Sequence, residues 1–175
     1  MTKNDLIGIF RTVKNNYRLI YILIVQTSQD DVMRDFIYLY QHLDEKLKVI
    51  DGIEPLILDK SVLKIAVEQL HKTIQRAIVK ELFETVKTYC KYTGQKDLLQ
   101  SQDWYQLWRI IRNGFSHDFH FRFDKHDKKY LPISWKGIEF REDMDGKQIT
   151  IDHLSYEKIW VLINEVEVFI KNKLA

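Results

Sequence analysis

The sequence predicts a mostly α-helical protein, a bundle of about five helices with a small antiparallel β insertion before the last helix. The chain has 175 residues but only six glycines and two prolines, which favours long helices over the many turns of a sandwich or barrel. Apolar residues recur at helical spacing over most of the chain and alternate strictly only in one late segment. The length and the 45% apolar content fit a single domain, residues 1–175.

Two helices are predicted in the N-terminal third. Apolar residues recur every three or four positions from Asn4 to Thr27, which predicts the first helix, and Asn4 is suited to its N-cap. The second helix is predicted to begin at Asp30 or Asp31. It ends at Gly52, since glycine commonly follows the last helical residue.

Three further helices follow from the same periodicity. The third has the longest apolar stripe, which begins at Ser61 and ends at Gly94. The fourth extends from about Lys96 through Phe115, with its tryptophan, leucine and isoleucine side chains toward the core. The last is predicted from Leu154 to Leu174.

The β insertion is predicted at about residues 118–152. From Phe119 to Phe123, phenylalanine alternates with polar residues, which is typical of a strand with one apolar face. Two more short strands are predicted at Ile133–Phe140 and Gln148–Ile151, joined through a turn around Asp145-Gly146.

Charge and cysteine content limit the classes of function. The formal net charge of +2 is too small to mark the whole chain as a nucleic-acid binder. Cys90 is the only cysteine, which excludes an intrachain disulfide and a cysteine-based zinc site. The N-terminus lacks a secretory signal, and the apolar run Leu19–Val25 is far shorter than the roughly 20 residues of a membrane span. A soluble cytoplasmic protein with no membrane partner is expected.

The residues that carry chemistry lie in the hexapeptide Arg112-Asn113-Gly114-Phe115-Ser116-His117. Arginine stays charged at any working pH, and its forked donors fit phosphate oxygens. Histidine accepts or donates a proton near neutral pH. Together they are the side chains that a phosphodiester-cleaving site requires.

Basic residues surround the hexapeptide. Six Lys or Arg and three Asp lie between residues 109 and 129. This local excess of positive charge would attract an RNA backbone, and the attraction should weaken as the salt concentration rises. The candidate RNA-binding residues are Arg109, Arg122, Lys125, Lys128 and Lys129.

Helical geometry restricts how the hexapeptide could form a site. Five residues at 3.6 residues per turn place Arg112 and His117 about 140° apart on a straight helix. Two arrangements would bring both side chains to one phosphate. Either Gly114 loosens the helix, or Arg112 and His117 come from two copies of the chain, which predicts a functional homodimer.

The hexapeptide resembles the Arg-x(4–6)-His motif of HEPN domains, in which a polar residue, often Asn, commonly follows the arginine. HEPN domains are small helical bundles that usually dimerise so that two motifs meet. Many are metal-independent endoribonucleases of bacterial toxin–antitoxin, abortive-infection and other defence systems. The resemblance covers the hexapeptide and the helical plan, whereas the predicted β insertion departs from a minimal HEPN bundle.

This resemblance implies a metal-independent endoribonuclease that needs no cofactor, acts on RNA as a homodimer, and has an antitoxin or regulatory protein as a further partner. His117 would be the general acid or base, and Arg112 would hold the non-bridging phosphate oxygens. Asn113 and Ser116 would orient the imidazole or the phosphate. His120 is a second candidate proton carrier.

A non-catalytic interpretation of the same residues stays open. Arg112 could pair with a carboxylate, Glu84 or Asp103, while His117 caps or packs the end of the fourth helix, where a cationic imidazole complements the helix dipole. The chain would then be a helical RNA-binding or protein-interaction domain.

A metal site is a third interpretation. His117, His120 and His126 lie close in sequence, with Asp118 or Asp124 nearby, and imidazole and carboxylate groups bind divalent metals. Their spacing matches no specific metal motif, so no metal ligand is assigned.

Overall fold

The computed structural model describes residues 1–27, 38, 42, 59–150 and 152–175. These residues form five α-helices and one two-stranded antiparallel sheet, which precedes the last helix. The predicted fold class is therefore confirmed. The helix predicted from Asp30 or Asp31 to Gly52 lies outside the described residues, apart from Tyr38 and His42.

The helices, in chain order, are α1 (Lys3–Thr27), α2 (Lys60–Tyr92), α3 (Lys96–Gln100), α4 (Tyr105–Ser116) and α5 (Tyr156–Lys173). The strands are β1 (Ile133–Trp135) and β2 (Ile138–Phe140), which pair with Ile133 opposite Phe140. Two short 3₁₀ turns lie at Asp127–Tyr130 and Glu142–Met144.

The chain divides into two compact units, Met1–Val13 with Arg76–Ala175, and Lys14–Gln75. In the second unit, Ile65 and Leu70 are exposed, although the apolar stripe of the third predicted helix assigns them to the core. The part of that stripe in the first unit is buried as predicted, at Ile78, Leu82, Val86 and Tyr89.

The core of the first unit is built around α4. Trp108 packs edge-on against Phe83 of α2, with ring centroids 5.1 Å apart. Trp104, which directly precedes α4, packs against Phe169 of α5 at 5.5 Å. These aromatic contacts tie the helix that carries the hexapeptide to both α2 and α5.

Helix α1 begins with a reciprocal cap at Thr2. The Asp5 amide donates to the Thr2 hydroxyl over 3.2 Å, and the Thr2 amide donates to the Asp5 carboxylate over 2.7 Å. This second bond lowers the pKa of Asp5. The predicted N-cap, Asn4, instead lies inside the first turn. Thr2 is the N-cap, because its hydroxyl accepts from one of the free amides at the start of the helix.

The predicted fourth helix is in fact two helices, α3 and α4. The Ser101 hydroxyl donates to the Leu98 carbonyl over 2.9 Å, and the Tyr105 amide donates to the Gln102 carbonyl over 3.0 Å. Serine hydroxyls that bond nearby carbonyls compete with the helical pattern. The chain therefore turns between α3 and α4, and helical periodicity alone did not reveal the break.

The predicted strand at Phe119–Phe123 is not regular. Its phenylalanines are buried, as the alternation predicts, whereas Arg122 is exposed and His120 is half-buried. Asp118 and Phe119, however, have φ angles of 57° and 59°, in the left-handed region, so α4 ends in a sharp turn rather than leading into a strand. Only an isolated bridge, His120 with Gln148, pairs this segment with the one predicted at Gln148–Ile151, and Ile151 lies outside the described residues.

The segment predicted as one strand, Ile133–Phe140, is itself the hairpin of β1 and β2. Its turn residues Lys136 and Gly137 have φ angles of 42° and 78°, the pattern of a tight two-residue hairpin turn. The predicted turn at Asp145-Gly146 is present, with Gly146 at a φ of 79°. It follows a 3₁₀ turn instead of a strand.

Gly114 allows the residues around Ile149 to pack directly on α4. A Cβ atom at position 114 would lie 2.5 Å from Cδ1 of Ile149 and 3.3 Å from the carbonyl oxygen of His120. Backbone bonds from Phe121 to Lys147 and from Ile149 to Phe119, 2.9 and 2.7 Å long, hold the two packed segments together.

Replacing Gly114 with alanine is expected to lower the free energy of unfolding by about 1 kcal/mol, because the clash with Ile149 outweighs the better helix propensity of alanine. In an Ile149→Val background, which lacks Cδ1, the penalty should shrink or reverse. Urea titration of the wild type, the two single variants and the double variant measures both effects.

The matched control is Gly8→Ala in α1, where a new Cβ would meet no atom within 4 Å. That substitution should stabilise the protein by up to about 1 kcal/mol. Equal effects of the Gly8 and Gly114 substitutions would contradict the close-packing role of Gly114.

Candidate functional site

Helix α4 carries the hexapeptide and runs unbroken through Gly114 to Ser116. His117 is its C-cap residue, and the His117 amide donates to the carbonyls of Asn113 and Gly114, both at 3.1 Å. Of the two arrangements predicted for bringing Arg112 and His117 together, a helix loosened at Gly114 is therefore not observed. Gly114 serves close packing instead.

Arg112 is held by three neighbours. Its guanidinium forms an ion pair with Glu84 of α2 and donates to the Asn113 side-chain oxygen over 2.9 Å. Its central carbon lies 5.8 Å from the centroid of the Phe83 ring. The pairing of Arg112 with Glu84, one of the two carboxylates named from the sequence, is thus confirmed, and 28% of the arginine side chain remains exposed.

Two predicted supporting residues, Ser116 in the hexapeptide and His120 beyond it, have different hydrogen-bond roles. The Ser116 hydroxyl donates back to the Arg112 carbonyl over 2.9 Å, so it serves the helix. His120 places Nδ1 2.9 Å from the Asp118 carbonyl oxygen, which makes Nδ1 the donor. In a neutral imidazole with this bond, the second nitrogen of His120 would be the acceptor.

A cleft of about 620 Å³ opens beside the end of α4. His117 is exposed at this cleft and shares its wall with Asn113 and Arg122. Arg112 is not among the residues that line it. The full lining is Asn113, His117, Arg122, Phe123, Asp124, Asp127, Asp145 and Gly146.

Asp127 is the deepest acid of the cleft. It is fully buried and forms an ion pair with Arg109, of whose side chain 18% is exposed. Burial raises the pKa of Asp127, and the nearby Asp124 carboxylate adds to the rise, whereas the Arg109 charge and the hydrogen bond from the Asp124 backbone amide oppose it. Arg109 also donates to Gln106 over 3.1 Å, so this candidate RNA-binding residue is engaged inside the fold.

The other two acids of the cleft, Asp145 and Asp124, accept hydrogen bonds from backbone amides. Asp145 accepts from the Phe123 amide over 3.0 Å, which lowers the pKa of Asp145, and pairs with Lys128 at 3.1 Å. Asp124 accepts from the amides of His126 and Asp127, both at 2.7 Å, and its pKa is lowered chiefly by the Asp127 amide.

The remaining candidate RNA-binding residues differ in their availability. Lys128 is engaged by Asp145 and lies 3.8 Å from Glu142. Arg122, Lys125 and Lys129 are exposed, and none forms an ion pair with another residue in the described ranges. These three side chains are therefore free to meet an anion.

His117, His120 and His126 do not gather into a ligand set. Within the described residues, no group of three or more His, Cys, Asp or Glu side chains is arranged to hold a metal ion. Over the same residues, no helix combines the length and apolar character needed to span a membrane.

Sequence reasoning did not bring the three acids of the cleft together: it named Asp124 beside the histidines and Asp145 in a turn, and it did not name Asp127. Asp124 and Asp127 are spaced as Asp-x-x-Asp before a short turn, a pattern in which an aspartate accepts bonds from amides ahead of it. That spacing could have indicated the turn. Nothing local indicates that Asp145 joins them, since it comes from a different segment.

The structure thus brings His117, Asn113 and Arg122 to one cleft and holds Arg112 beside it, linked through Asn113. Function must be inferred from these side chains. No protein-family model, curated protein or solved structure matches the chain.

Proposed function

We propose that this protein is a metal-independent endoribonuclease of the HEPN type that cleaves single-stranded RNA, such as a tRNA loop. The observation that best supports this proposal is the exposed His117 imidazole, which lies in a cleft with the amide of Asn113 and the free cation of Arg122. A proton carrier beside donors for phosphate is the minimum that phosphodiester cleavage by transesterification needs.

In the proposed reaction His117 removes the proton of a ribose 2′-OH. The freed oxygen attacks the adjacent phosphorus, the bond from phosphorus to the 5′-oxygen breaks, and the leaving oxygen takes up a proton. The products are a 2′,3′-cyclic phosphate and a 5′-OH end. His120 is the candidate second proton carrier: with Nδ1 donating to the Asp118 carbonyl, its protonated ring would give the proton of the other nitrogen to the leaving oxygen.

Arg112 is the residue to which the HEPN resemblance assigns the phosphate. In one chain it is engaged by Glu84 and lies outside the cleft lining, while α4 is continuous. The proposed active form is a homodimer, as the HEPN resemblance implies, and Arg112 of one copy would serve the cleft of the other only after its release from Glu84. A bacterial defence or toxin–antitoxin role, with an antitoxin or regulatory partner in the cytoplasm, belongs to the same proposal.

A non-catalytic RNA-binding or protein-interaction domain is the second candidate. Two observations favour it, the Arg112 and Glu84 ion pair and the position of His117 as the C-cap of α4. Both give the hexapeptide a structural role that requires no reaction.

The test is incubation of the purified protein with single-stranded RNA in excess EDTA. We expect cleavage that leaves cyclic phosphate and 5′-OH ends, because the proposed chemistry uses only the 2′-OH and side chains of the protein. An all-DNA oligonucleotide of the same sequence lacks the nucleophile and should stay intact. RNA that is bound but left uncut would establish the second candidate, and cleavage only after addition of a divalent metal would contradict metal independence.

A further inference from the structure

We infer that Arg122 binds the scissile phosphate beside His117, within the cleft of a single chain. This inference rests on the proposed function and deepens it, since the HEPN resemblance assigns the phosphate to Arg112. Four observations support it. The backbone around Arg122 is fixed, and Arg122 forms no ion pair within the described residues. The acids of the cleft are held by other partners, and Arg112 is paired with Glu84.

The backbone on both sides of Arg122 is fixed, while its side chain is exposed. Phe121 is fully buried and packs edge-on against Phe140, with ring centroids 5.0 Å apart. The Phe121 amide donates to the Lys147 carbonyl over 2.9 Å, and the Phe123 amide donates to Asp145 over 3.0 Å. A guanidinium is therefore presented at the cleft from a rigid support, which lowers the entropy lost when it binds an anion.

The acids of the cleft do not neutralise Arg122. Asp127 is paired with Arg109, and Asp145 is paired with Lys128. Asp124 accepts two amide hydrogen bonds and lies 3.8 Å from Arg109. Within the described residues, Arg122 is the only arginine or lysine of the cleft lining, and it has no carboxylate partner.

Arg112 is poorly placed for the same task. Its two terminal nitrogens contact Asn113 and Glu84, and its Nε atom is buried without a hydrogen-bond partner. A phosphate would have to displace Glu84 to reach Arg112. In contrast, a phosphate that enters the cleft meets Arg122 directly, together with the side-chain amide of Asn113 and the His117 imidazole.

The ligand that fits this arrangement is the phosphodiester of a single strand. The cleft volume of about 620 Å³ is within the usual range for small-ligand sites and can hold one nucleotide. Arginine donates two parallel bonds to non-bridging phosphate oxygens, which would hold the phosphorus close to His117.

The test compares Arg122→Gln with Arg141→Gln. Arg141 is a matched control, since it is an exposed arginine outside the cleft that lies 3.6 Å from Glu139 and 3.4 Å from Asp143. The probe is a fluorescein-labelled, 2′-O-methyl oligonucleotide, which cannot be cleaved, and binding is followed by anisotropy over a range of salt concentrations.

Arg122→Gln is expected to raise Kd about tenfold and to reduce the slope of log K against log salt by about 0.7, the value for one lost phosphate contact on a single strand. Arg141→Gln should leave both quantities close to wild type. On a cleavable RNA, Arg122→Gln should lower kcat/KM by about tenfold or more.

Equal affinities of the two variants for the oligonucleotide would overturn the assignment, whether or not the wild-type protein cleaves RNA. A second outcome is that the wild-type protein cleaves no RNA but Arg122→Gln binds the oligonucleotide more weakly. That result would support phosphate binding by Arg122 and contradict the proposed nuclease function. A third outcome is that the wild type cleaves RNA and Arg122→Gln changes neither binding nor kcat/KM. The nuclease function would then stand, but Arg122 would have no part in it.

Discussion

Replacing His117 with alanine is expected to lower the rate of RNA cleavage by about 100-fold to 10,000-fold, the usual contribution of a positioned proton carrier. RNA affinity should change little, because the imidazole is not expected to be the main phosphate-binding group. The free energy of unfolding should also stay within about 0.5 kcal/mol, since His117 is exposed and caps α4 through its backbone amide, which the substitution keeps. Single-turnover cleavage and urea unfolding measure these quantities.

His126→Ala is the matched control for this substitution. His126 is also exposed and lies in the same sequence region, but it is not part of the cleft lining and its ring packs on Tyr130 at 5.1 Å. Its loss should leave the cleavage rate close to wild type. Equal rates for wild type and His117→Ala would instead show that the activity does not come from this cleft.

Much of the fold could be predicted because it is encoded locally. The apolar stripe of α4 fixes which face is buried, and the alternation around Phe121 fixes which side chains face outward, as with Arg122. Neither pattern predicts the φ and ψ angles of the residues between the elements. The left-handed angles of Asp118 and Phe119, which end α4 and turn the chain, were therefore missed.

The candidate site was harder to predict because its contacts join distant segments. The sequence offered Glu84 and Asp103 as partners of Arg112, and only the packing of α2 against α4 selects Glu84. The role of Gly114 depends on Ile149, which lies in another segment altogether. Composition placed positive charge near the hexapeptide, but the pairing of Arg109 with Asp127 removes one of those charges from the surface.

Replacing Asp127 with alanine is expected to lower the free energy of unfolding by about 3 kcal/mol, the largest stability effect that we expect in the cleft. The substitution leaves the mostly buried Arg109 guanidinium without its main carboxylate. It also removes the Asp127 carboxylate oxygen that accepts from the Asp124 amide over 3.2 Å in the wild type. An unpaired buried charge costs far more than an exposed ion pair contributes. Urea unfolding with a constant m value would measure the loss.

The double variant Arg109→Met with Asp127→Leu separates loss of pairing from loss of packing. Because it removes both charges, we expect it to be more stable than Asp127→Ala alone. The pair of Lys171 with Glu167, 2.6 Å apart and with 47% of the lysine side chain exposed, supplies the comparison, and Lys171→Gln should cost less than about 1 kcal/mol. If Asp127→Ala were as mild as Lys171→Gln, the pair of Arg109 with Asp127 would not be the element that stabilises the cleft wall.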